Sequence, residues 1–95
     1  MKRDYLEIAK KVKEIVLSID PNARIYIFGS VVRGTSTAAS DIDILIVTKI
    51  IDQKYEIMVN VYKNVDENVE LHVVTEEDLE RWYKRFIPNE ELIEV

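Results

Sequence analysis

The sequence predicts a mixed α/β fold: a sheet of three or four strands, covered by helices mainly on one face, with one end left open. Three observations carry this prediction. Apolar residues recur at helical spacing in residues 2–19 and 76–87. Three short β-branched runs, at 24–28, 41–47 and 69–75, lie between those stretches. Turn-forming residues such as Asp20-Pro21-Asn22 and Asn64 to Asn68 separate the runs.

Composition sets the bounds. With 95 residues the chain is expected to form one domain, 1–95. A domain of this size hides roughly 60–65% of its unfolded surface, an adequate but not generous core. The hydrophobic fraction of 47% indicates a globular protein rather than a disordered one. No cysteine is present, which excludes disulfides and thiolate metal sites and fits a reducing compartment. Neither a leader pattern nor a long apolar span occurs, so the expected location is the cytoplasm, with no membrane contact. The net charge is −5 and no Lys/Arg cluster dominates a segment, which argues against extended nucleic acid as a partner. A small anion neutralised by its own metal ions remains compatible with that charge.

The first element is an amphipathic helix over 2–19. Tyr5, Ile8, Ala9, Val12, Ile15, Val16 and Ile19 form its apolar face, and the residue before Pro21 disfavours continuation. Arg24-Ile25-Tyr26-Ile27-Phe28 is apolar on both faces and predicts a central strand. Gly29 permits a sharp turn with close ligand approach, and Ser30 is expected to cap a short helix that ends at Gly34. Unpaired N–H groups at the start of such a helix can cradle a phosphate. Arg33, one turn on, can reach the same site or a neighbouring acid. A Gly-Ser junction alone is common in ordinary strand–helix turns.

Residues 35–40 are small and polar and form a connector loop. Asp41-Ile42-Asp43-Ile44-Leu45-Ile46-Val47 is the second strand. Its alternation places Asp41 and Asp43 on one face, roughly 6.5 Å apart, with Leu45 and Val47 continuing that face. Two carboxylates at the mouth of an apolar strand need water, a partner or a metal. Their hard oxygens suit Mg²⁺, which binds through one or two carboxylates plus substrate phosphates. Turn and acids together suggest a metal–triphosphate site.

Residues 52–65 admit either a helix capped by Asp52 or an alternating strand, and a length of fourteen residues decides for the helix. In the third strand, 69–75, Glu70 and His72 share one face. Beside the second strand, Glu70 can complete a group of three carboxylates and deprotonate an attacking hydroxyl. His72 is expected as a packed or hydrogen-bonded residue, with a ligand or acid–base role as the alternative. Thr75-Glu76-Glu77-Asp78 resembles a capping box that opens the last helix. Leu79, Trp82, Tyr83 and Phe86 share one face of it, as core or as core plus partner surface. Pro88 ends the helix, and Leu92, Ile93 and Val95 dock as a strand or against another chain.

Each feature is weak alone; their order is not. Gly29-Ser30, Arg33-Gly34, Ser40-Asp41, Asp43 and a later strand acid together resemble the minimal nucleotidyltransferase (MNT) family of the DNA polymerase β superfamily. The resemblance runs from the first helix to the last and implies the palm-like nucleotidyltransferase fold. It implies that Gly29 and Ser30, with Arg33 and Ser40, bind the nucleotide, and that Asp41, Asp43 and Glu70 bind metal and carry catalysis. Family members often have Asp at the third position, so Glu70 is a departure; Asp66 and Glu67, in a turn, are poorer candidates. The implied cofactor is Mg²⁺, in a two-ion site, with Mn²⁺ as an alternative. The implied reaction is transfer of a nucleoside monophosphate, AMP from ATP, to a hydroxyl acceptor.

Isolated proteins resembling this family often work beside a small helical HEPN-type protein in toxin–antitoxin pairs. The resemblance therefore implies an antitoxin acting on a partner protein, or a homo-oligomer that completes the acceptor surface. The alternative is a weak or silent nucleotide-binding antitoxin that neutralises its partner by binding alone.

Overall fold

The computed structural model describes residues 4–35 and 40–95. Helix α1 (Tyr5–Ile19) starts where Asp4 accepts a hydrogen bond from the Glu7 amide at 3.2 Å. It turns Ala9, Val12 and Val16 into the core. Strand β1 (Arg24–Phe28) has the predicted bounds. The short helix α2 (Ser30–Arg33) follows at once, and Gly34 closes it in a left-handed conformation. Strand β2 (Ile42–Val47) begins one residue later than expected, so Asp41 lies just outside it. A 3₁₀ turn (Ile51–Gln53) leads into α3 (Lys54–Asn64), which returns the chain to β3 (Val69–Val74).

The predicted capping box at Thr75 forms, with the Thr75 hydroxyl accepting from the Asp78 amide at 3.2 Å. It opens α4 (Glu76–Asp78), which runs through a π-helical turn (Leu79–Tyr83) into α5 (Lys84–Phe86). After a 3₁₀ turn (Asn89–Glu91), the tail docks as the two-residue strand β4 (Ile93–Glu94).

The sheet order is β3-β2-β1-β4. β1 runs antiparallel to both β2 and β4, while β2 and β3 are parallel. A parallel pair needs a crossover, and α3 supplies it. The two interior strands are hidden on both faces, which is why β1 and β2 read as continuous apolar runs. On one face Ile25, Ile27, Ile42, Ile44 and Ile46 pack against Val12 and Val16 of α1 and Ile57 and Val61 of α3. On the other, Tyr26, Leu45, Val47 and Val74 pack with Leu79. Two long helices therefore cover one face and the last helical segment covers part of the other. Truncating a fully buried residue such as Ile44 to Ala removes packing worth about 2–5 kcal/mol.

Two expected caps are corrected. Gly29, not Ser30, is the N-cap of α2; no side chain caps that helix, and Ser30 is its first residue. Asp52 lies within the 3₁₀ turn rather than capping α3, whose N-cap Gln53 makes no side-chain bond. The apolar stripe of the last helix also divides. Leu79 is buried, Tyr83 is half-buried, and Trp82 and Phe86 are exposed and stacked at 6.4 Å.

Candidate active site

The strand register assembles the site. Phe28 on β1 lies opposite Asp43 on β2, and Asp43 lies beside Glu70 on β3. One row across three strands thus carries an aromatic residue and two acids. Side chains two apart share a face, so His72 stands on the same side as Glu70. One oxygen or nitrogen from each of Asp43, Glu70 and His72 falls within 4.8 Å of the others. Asp41, exposed and one residue before β2, is not among these three.

The turn after β1 closes directly onto this group. Gly29 has φ +84°, a conformation that L side chains rarely adopt. A Cβ placed there would stand 2.3 Å from Asp43 Oδ2. Both backbone and space therefore require glycine, and both bring the turn against the acid. Within α2, the Val32 and Arg33 amides bond back to the Gly29 carbonyl, each at 3.1 Å. The first-turn amides of Ser30 and Val31 have no such intrahelical carbonyl. Arg33 reaches Glu91 at 3.7 Å, taking the second of its two expected directions. Ser40 is half-buried ahead of Asp41; residues 36–39 of the connector lie outside the described residues.

His72 is the hinge of the arrangement. Its Nε2 lies 3.5 Å from Asp43 Oδ1 and its Nδ1 lies 3.5 Å from Tyr83 Oη. The Phe28 ring packs at 5.1 Å from the imidazole and 6.1 Å from the Tyr83 ring. Burial pushes the Tyr83 phenol above its usual pKa, and the charge of Asp78 adds to the effect. The phenol therefore stays neutral where His72 meets it. Beyond these rings opens a cleft of about 600 Å³, lined by Phe28, Lys54, His72, Trp82, Tyr83 and Phe86 among others.

Residues 9–95 match the family profile described as "Nucleotidyltransferase domain". The chain belongs to the nucleotidyltransferase domain family. Two solved structures agree with that assignment. One is a crystal structure of a provisionally assigned nucleotidyltransferase, 32% identical, with a TM-score of 0.73, covering 90% of this chain and 95% of that one. The other, from Sulfolobus solfataricus and likewise provisionally assigned, is 34% identical with a TM-score of 0.66, covering 94% of this chain and 77% of that one. Curated proteins show no significant match. The palm-like fold and the enzyme class expected from the sequence thus stand.

A nucleotidyltransferase domain works on a nucleoside triphosphate with a divalent cation, and the residues present fit such an ion. Asp43 and Glu70 offer hard oxygens and His72 offers a nitrogen, all mutually within reach of one cation. From the sequence alone His72 is expected mainly as a packed residue. The available signal was its position, two residues after Glu70 on the same strand face. Its contact with Tyr83 had no signal, because a π turn sets the direction of that phenol. Among the described residues, no helix is long and apolar enough to cross a membrane.

Proposed function

We propose that this nucleotidyltransferase moves AMP from ATP to a hydroxyl on a partner protein, with Mg²⁺, as an antitoxin of the MNT type. The observation that carries the chemistry is the closure of the Gly29 turn onto Asp43, in register with Glu70. Triphosphate recognition and acid chemistry then meet at one point.

The roles in this reading are those the family resemblance implies. The Gly29–Ser30 turn offers main-chain amides to the triphosphate; the family pattern adds Ser40 and Arg33, whose guanidinium would exchange Glu91 for phosphate. Asp41, Asp43 and Glu70 are the residues that would hold the divalent cations, which would supply charge neutralisation for the transfer. Glu70, exposed at the edge strand, accepts the proton of the acceptor hydroxyl. The acceptor oxygen bonds to the α-phosphorus, the bridging bond to the β-phosphate breaks, and pyrophosphate leaves with that electron pair. Little covalent help from protein is needed; positioning carries most of the rate.

A protein acceptor is supported by the surface. Tyr55, Val59 and Tyr62 form an exposed apolar stripe on α3, with Tyr55 78% exposed. The same stripe supports the second reading, in which binding alone neutralises a helical HEPN-type partner. Incubation with α-labelled ATP, Mg²⁺ and the product of the adjacent gene tests both. Label on the partner, lost in Asp43→Asn, supports transfer. A stable complex without label supports binding alone.

A further inference from the structure

We propose that His72 is itself a metal ligand. Its Nε2 joins Asp43 and Glu70 around one cation, and the nitrogen makes this site favour Mn²⁺ over Mg²⁺. The inference rests on the nucleotidyl-transfer reading, and it adds a nitrogen donor to Asp43 and Glu70 at one of its cations.

Three features of the geometry point this way. First, the donor atoms of Asp43, Glu70 and His72 lie within 4.8 Å of one another. Second, Nε2 and Asp43 Oδ1 are 3.5 Å apart. Two donors each about 2.1–2.2 Å from one ion stand roughly 3.0–3.5 Å apart, so the spacing fits two neighbours on one cation.

The third feature is the support behind the ring. A metal-binding imidazole is held by a partner on its other nitrogen, which fixes tautomer and orientation. Tyr83 Oη occupies that place, 3.5 Å from Nδ1. The phenol oxygen there can accept the Nδ1–H while Nε2 keeps its lone pair for the ion. Phe28 packs on one side of the ring at 5.1 Å and Tyr83 at 6.0 Å. In that tautomer a lone pair faces a carboxylate, an arrangement that a cation between them stabilises. Mg²⁺ prefers oxygen donors and keeps its waters. First-row transition ions accept imidazole readily, so adding nitrogen moves the preference toward them.

The test is Mn²⁺ binding to the purified chain, without nucleotide, followed by electron paramagnetic resonance with Mg²⁺ as competitor. Pulsed measurement then reads nitrogen coupling to the bound ion. The wild type is expected to show coupling from one imidazole nitrogen. His72→Ala and the more conservative His72→Gln should lose it, with melting curves confirming the fold, and should lower the Mn²⁺/Mg²⁺ preference by about tenfold or more. Tyr83→Phe should keep the coupling and weaken Mn²⁺ binding by about tenfold. Bound Mn²⁺ without nitrogen coupling, or an unchanged preference in both His72 variants, overturns the proposal. If Mg²⁺-dependent transfer then persists, the nucleotidyl-transfer reading survives without it. Failure to bind any divalent cation, with or without nucleotide, defeats both.

Discussion

Two carboxylates stand at opposite ends of the sheet and have opposite surroundings. Asp20, 6% exposed, is held tightly: Thr48 Oγ1 donates to it at 2.6 Å and the Asn22 amide at 3.0 Å. Thr48 in turn accepts from the Ile50 amide at 3.1 Å, so the cluster ties the α1–β1 turn to the segment leaving β2. Asp43 has a 23% exposed side chain, a histidine at 3.5 Å, and a glycine backbone pressed against one oxygen. A buried carboxylate built for the fold is satisfied by short internal bonds. One placed for chemistry is kept at the rim, where lone pairs can meet something from outside.

The largest expected effect breaks the working end alone. With Asp43 in its proposed role on the cation, Asp43→Asn should lower nucleotidyl transfer by about 10³-fold or more, a loss of several kcal/mol of transition-state stabilisation. Its melting temperature should match the wild type. Retained activity, or a sharp drop in melting temperature, would make Asp43 a structural acid like Asp20. Gly29→Ala comes next. The new Cβ would stand 2.3 Å from Asp43 Oδ2, so the acid must move, and displacement of that order costs about 100-fold in rate. The left-handed backbone adds about 1–3 kcal/mol of strain, readable by urea denaturation. A fully active alanine variant would refute the claim that the turn and the acid are packed as one unit.

How far the sequence foretold this contrast differs between its two halves. Strand β1 is legible because four consecutive β-branched or aromatic residues after Arg24 fit an interior strand and little else. Alternation makes legible that Glu70 and His72 share a face of β3, whereas the register that sets Asp43 beside Glu70 comes from the pairing of the strands. The caps are not legible. Ser30 suits a cap by type, yet Gly29 takes that position because its carbonyl accepts the first helical bonds, from the Val32 and Arg33 amides. The Asp20–Thr48 bond joins residues 28 apart in sequence, and no local spacing announces it. Helical periodicity groups Trp82 and Phe86 with Leu79 but does not say which of them are core; across the π turn Leu79 is buried and the other two are exposed.

The smaller effects sharpen the structural end. Thr48→Val keeps the shape but removes the donor to a buried carboxylate, at a cost of about 1–3 kcal/mol in unfolding free energy. Turnover at saturating substrate should not change; a slower enzyme at full folding would mean that the two ends communicate. The smallest effect belongs to the surface pair of Arg24 and Glu76. This bond to Glu76 is the chief reason the Arg24 guanidinium is shifted further upward. Because both side chains are substantially exposed, Glu76→Gln should cost less than about 1 kcal/mol, and less still in high salt. A larger loss would show that this end relies on charge rather than on the Asp20 cluster.

The wide turn at Leu79–Tyr83 has a consequence for anyone redesigning the protein. It accommodates one residue more than an α-helical turn would, and each residue corresponds to about 100° of rotation. Deleting a single position there, to regularise the helix for stability, would swing Tyr83 and everything after it around the axis. The imidazole would lose its phenol although no residue in the sheet had been touched. An apparent irregularity in the backbone is thus the aiming device, and straightening it would misdirect the side chain it serves.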